Sequence, residues 1–114
     1  MSNRYDNMDE FIASIFNVFQ LVNRKAEQQN DKKFKMIGLV ILNYVKYMAK
    51  EFNVDLKTLT EPDSINLIPV FEYIAANNIE LYDFSKINLN DVDVTKKEDL
   101  ERYVLSHVYY ITQN

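Results

Sequence analysis

One glycine, Gly38, and two prolines, Pro62 and Pro69, have to serve every bend in this chain of 114 residues. Hairpins depend on residues that tolerate positive φ, above all glycine. A long turn-rich β architecture is therefore excluded, and the apolar residues have to be organised by helices. The same scarcity excludes glycine-rich phosphate loops. The expected fold class is all-α: residues 1–114 as a single compact domain of about four helices, a bundle or an orthogonal array, with an irregular segment near residues 79–94.

The first helix is expected over about Met8 to Gln29. Met8, Ile12, Ile15, Phe19, Val22 and Ala26 recur at intervals of four and three, which places them on one face. Phe11, Phe16 and Val18 widen that stripe beyond a coiled-coil seam. Asp9 and Glu10 suit the positive end of the helix dipole. The second helix is expected from about Asp31 to Phe52, with Asn30 or Asp31 capping its start and Asn53 as a left-handed cap at its end. Its middle, Met36 to Ala49, is apolar on nearly every side, the mark of a central helix surrounded by others. Gly38 costs about 1 kcal/mol there relative to alanine, a cost that close approach of a neighbouring helix would offset.

A short turn is expected around Asp55 to Leu59. Thr60-Glu61-Pro62-Asp63 has the pattern of a capping box for a third helix ending near Asn77, with a kink or a restart at Pro69. Ile87, Leu89, Val92 and Val94 flank Asn90-Asp91, which reads either as a small ribbon or as an extended cover over the core. Thr95-Lys96-Lys97-Glu98 is a second capping box, opening a fourth helix from Lys96 to about Ile111. Leu100, Val104, His107, Val108 and Ile111 share its inner face.

Chemistry is restricted by what is missing. There is no cysteine and only one histidine, His107, so thiolate sites, paired-imidazole metal sites and histidine pairs within one chain are excluded. Ser106 is next to His107, but neighbours on a helix point about 100° apart and do not face each other. His107 reads as a packed residue at the core edge. Asn88, Asn90, Asp91, Asp93 and Thr95 resemble an oxygen-rich calcium loop, yet counting from Asp91 puts Lys96 and Arg102 where an EF-hand needs glycine and glutamate. Glu98, Asp99 and Glu101 serve the helix dipole and solvation. No catalytic residue, cofactor or metal ligand is assigned, and the chain is expected not to be an enzyme.

Charge is polarised. Residues 1–50 carry eight basic and five acidic side chains, and residues 51–114 carry five and twelve, for a formal net charge of −4. Arg24, Lys25, Lys32, Lys33 and Lys35 form a basic patch around the first interhelical turn. Glu27 and Asp31 dilute it, and the second helix is too apolar to lie in a groove, which argues against direct nucleic-acid binding. The acidic half permits contact with a basic protein or imitation of DNA, by analogy with small blocking proteins of phages and other mobile elements. The opening Met-Ser-Asn-Arg-Tyr-Asp lacks the apolar core of a signal peptide, and the run Met36–Ala49 falls short of the roughly 20 residues of a membrane span. A cytoplasmic protein without membrane contact is expected.

Eight tyrosines and seven phenylalanines exceed what a core of this size readily buries with satisfied hydroxyls. Tyrosine is favoured where one side is apolar and the other wet, as at interfaces. The expected function is a non-catalytic regulator, inhibitor or adaptor that binds another protein through an aromatic-rich helical surface. Tyr103, His107, Tyr109, Tyr110, Phe11 and Phe16 are the candidate contacts. The wide stripe of the first helix also suits a twofold homodimer.

Overall fold

A computed structural model describes residues 8–58, 66–83, 86, 92, 93 and 95–113. Four α-helices follow in order: α1 at Met8–Gln29, α2 at Lys32–Glu51, α3 at Ile68–Ala76 and α4 at Lys97–Gln113. A 3-10 turn at Leu56–Thr58 follows α2, and no strand occurs among the described residues. The helices form one bundle with a radius of gyration of 13.7 Å, close to the roughly 13 Å of a compact domain this long.

The helix boundaries follow from backbone chemistry. Asp31 caps α2, its Oδ1 accepting from Lys33 N at 2.9 Å. Asparagine then takes the role that glycine usually plays. Asn30, Asn53 and Asn78 have φ of 51°, 56° and 52° just beyond the ends of α1, α2 and α3. At each end the next amide reaches back to the carbonyl five residues earlier: Asp31 to Ala26, Val54 to Ala49 and Ile79 to Ile74, at 2.8–3.1 Å. This is the Schellman arrangement, with asparagine accepting the left-handed conformation.

Helix α3 differs from expectation. Residues 66 and 67 precede the helix, which starts at Ile68 with Pro69 in its first turn. A proline there loses no intrahelical bond and already has the right φ. Asn66 Oδ1 accepts from Ile68 N at 3.1 Å, and Ser14 Oγ of α1 lies 2.7 Å from the Asn66 carbonyl, tying this start to α1. Of the kink or restart expected at Pro69, the described residues show a helix start there. The capping box at Thr60–Asp63 lies outside the described residues, as does most of the Ile87–Val94 stretch. Helix α4 begins at Lys97, and Asp93 Oδ1 accepts from Thr95 N just before it.

The core draws on every helix. Phe11, Ile12, Ile15, Val18 and Val22 of α1 meet Ile41, Tyr44, Val45 and Met48 of α2, Val70 and Tyr73 of α3, and Val104, Leu105 and Val108 of α4. The Phe11 ring stacks on Tyr73 with centroids 4.0 Å apart and meets Tyr44 edge-on at 6.4 Å. After α3 the chain crosses α4. Tyr82 N donates to Ser106 Oγ at 2.8 Å, Arg102 lies 4.1 Å over the Tyr82 ring, and its Nε donates to the Glu80 carbonyl. Residues 79–83 therefore cover the core as an extended strap. No helix among the described residues is long and apolar enough to cross a membrane.

Three sequence expectations need correction. Helix α2 is not surrounded: Met36, Leu39 and Tyr47 stand 68%, 60% and 45% exposed on its outer side. The described helices cover one side of α2, and its excess apolarity faces solvent. Phe11, a candidate contact residue, is wholly buried. The α1 stripe that suggested a twofold interface is consumed by the chain's own core, because α2 folds back along it and α3 packs against it.

Candidate functional site

Three places gather the candidate side chains. The first is the outer face of α2. At 100° per residue, Met36, Leu39, Asn43 and Tyr47 fall within about 80° of arc, a stripe about 16 Å long. Lys32 and Lys50 end it, while Lys33, Lys35 and Lys46 flank it, all exposed. Glu51 is the sole carboxylate of α2. It pairs with Lys97 at 3.1 Å, and that ammonium also lies 5.6 Å over the Tyr47 ring. The stripe is thus an apolar ridge in a positive field. The basic patch read around the turn continues along this helix through Lys46 and Lys50, an extension hidden in the sequence by the intervening apolar run.

The second place is a cavity of about 630 Å³ between the end of α1, the start of α2 and the last turns of α4. Leu21, Val22, Phe34, Ile37 and Ile111 supply apolar walls, and Lys25 and Lys33 of the basic patch also line it. His107 and Tyr110 enter from α4. The fold therefore joins two groups that are about 80 residues apart in the sequence. His107 is 6% exposed, and its ring meets Tyr103 edge-on at 4.5 Å. Burial, reinforced by the Lys33 charge, lowers its pKa to about 4, so the imidazole is neutral near pH 7.

The third place is a smaller aromatic contact, where Phe71 of α3 meets Tyr109 of α4 with centroids 6.0 Å apart, both partly exposed. The remaining candidates scatter. Tyr103 is half-buried against His107, with burial raising its pKa. Tyr110 is 56% exposed beside the cavity, away from the Phe71–Tyr109 contact. Phe16 is half-buried and stacks on Phe19 at 5.9 Å. Tyr109 and Tyr110 diverge by about 100° on the helix, and Tyr103, which shares the Tyr110 face, is half-buried against His107, so the three do not form one exposed patch.

One group was misread in the sequence. Glu101 does more than serve the dipole of α4. Its Oε2 accepts from Tyr44 of α2 at 2.6 Å and from Tyr73 of α3 at 2.8 Å. Burial and the neighbouring carboxylate push both tyrosine pKa values up, so both hydroxyls stay protonated donors. The arrangement clasps three helices. Its signal was a carboxylate at the inner edge of the α4 stripe, one residue from Leu100. Known proteins offer no guide to the choice among these places: no family model, curated protein or solved structure matches the chain.

Proposed function

We propose that this is a non-catalytic binding protein, a regulator, inhibitor or adaptor, which docks through the outer face of α2 onto an acidic helical surface of another protein. The observation that carries this reading is the pair Met36 and Leu39, 68% and 60% exposed on one ridge among five lysines. Burying such a side chain is worth about 1.5–3 kcal/mol, so leaving two together in water is a cost that a partner would remove. A straight ridge about 16 Å long suits the groove of another helix. The lysines select a partner with acidic flanks and speed the encounter. Nucleic acid fits less well, because Met36 and Leu39 in the centre of the face gain nothing from phosphates.

The absence of cysteine makes the test direct. A cysteine introduced at Asn43, in the middle of the ridge, carries a photo-crosslinker into lysate of the source cell. The expected adduct is a single protein whose crosslinked peptide is helical and rich in Asp and Glu. Unlabelled wild-type chain competes with it, whereas chain carrying Met36→Glu and Leu39→Glu does not. A nucleic-acid adduct, an adduct to a second copy, equal competition by the Glu variant, or no adduct would each overturn the proposal. Both substitutions are at exposed positions, and an unchanged melting curve verifies that the fold is intact.

A further inference from the structure

The cavity at the α1–α2 turn shares only Lys33 with the flank of the ridge. We propose that it binds an amphipathic monocarboxylate, with the hydrocarbon body among Leu21, Phe34, Ile37 and Ile111 and the carboxylate at Lys25 and Lys33. A volume of about 630 Å³ lies within the range of small-ligand sites, which are mostly apolar with a few placed polar groups.

The helices set the polarity of the cavity. Lys25 is four residues before the end of α1, and Lys33 is the second residue of α2, so both cations lie at the turn. Leu21 and Ile37 are each one helical turn further from it. The positive end of the α2 dipole adds to the two ammonium groups. Asp31 also lines the cavity, but its carboxylate caps the first turn of α2 through Lys33 N. The two lysines and Asp31 leave one positive charge, which one carboxylate balances. A cationic ligand meets this field unfavourably, and a neutral one gains only from the apolar walls. His107, held neutral between this field and the core, places an imidazole in the wall without adding a competing charge.

His107 is also the only histidine in the chain, so its ring protons are a unique NMR reporter inside the site. The probes are decanoate, decanol and decyltrimethylammonium. Decanoate is expected to shift the His107 and Tyr110 ring signals saturably, decanol more weakly, and the ammonium compound not at all. Lys25→Gln with Lys33→Gln should weaken decanoate about tenfold and leave decanol unchanged. Leu21→Trp, which fills the cavity, should abolish both responses. Equal affinity for decanoate and decanol, unsaturable shifts, shifts that survive Leu21→Trp, or no response to decanoate would overturn the assignment. The lysine variant changes exposed residues and keeps the test decisive if Leu21→Trp fails to fold. None of these readouts depends on a protein partner at α2.

Discussion

At the scale of single residues, two inward-facing groups, half-buried Glu101 and buried His107, set how the fold responds to mutation and to acid. Glu101 accepts two hydroxyls, from Tyr44 and Tyr73. Tyr73→Phe removes one donor and leaves the other in place, for an expected loss of about 1–2 kcal/mol, since bonds to charged groups exceed neutral ones. Glu101→Leu should lose more, because it removes the charged acceptor of both hydroxyls, and Tyr44 is 1% exposed. In urea unfolding, combining the two changes should cost less than the sum of the separate losses, the signature of a shared network. His107 acts through linkage. Its pKa is about 4 when folded and about 6.5 when unfolded. Between those values the unfolded chain binds more protons, so stability falls as pH drops through that window, by about 3 kcal/mol at most. Lys33, Lys25 and Asp31 of the cavity and Tyr103 of α4 surround this group. Carboxylates titrate in the lower part of the same window, so the measurement is a comparison. Wild type should lose more of its urea midpoint between pH 7 and pH 4.5 than His107→Gln does.

At the scale of elements, local chemistry explains what was legible. The intervals from Met8 to Ala26 were enough to bound α1, because every turn carries an apolar residue on the same face. Asn53 marked the stop of α2 as a left-handed cap, whereas Asn30, readable as a cap for the start of α2, takes the same left-handed role at the end of α1. The start of α3 was less legible: Thr60–Asp63 has the composition of a cap, but at Ile68 the start depends on Asn66, Pro69 and a contact from Ser14, 52 residues away. Long-range partners of this kind leave no local pattern. The Glu101 clasp was hidden for the same reason, its two donors lying 57 and 28 residues distant. The cavity was hidden too, although four of its residues, Lys25, Lys33, His107 and Tyr110, were singled out separately. Gly38 shows the reverse error, a steric need inferred where none exists. A Cβ there would meet Val22 Cγ1 at 3.7 Å and Phe19 Cε1 at 3.9 Å, ordinary contact distances. Gly38→Ala should therefore recover helix propensity and raise stability by about 0.5–1 kcal/mol, read as a higher melting temperature.

At the scale of the whole molecule, charge decides which copies can meet. A twofold pairing along α2 would bury Leu39 and Met36 against their equivalents, but it would also set Lys32, Lys35, Lys46 and Lys50 against the same lysines. Like charges brought together and desolvated work against the apolar gain. The alternative pairs the basic ridge of one copy with the acidic half of the next, where residues 51–114 hold twelve carboxylates and five cations. That contact is head-to-tail, and so grows rings or chains rather than twofold dimers. It is also electrostatic, and at about 0.15 M salt the Debye length is only about 8 Å. We therefore expect sedimentation velocity at micromolar concentration and physiological salt to show one species of 13.5 kDa. Lowering the salt should broaden the boundary toward larger species, and Lys46→Glu with Lys50→Glu should suppress that broadening. A discrete dimer at physiological salt that survives Leu39→Glu would mean that another surface, with the Phe71–Tyr109 contact the foremost candidate, carries the association.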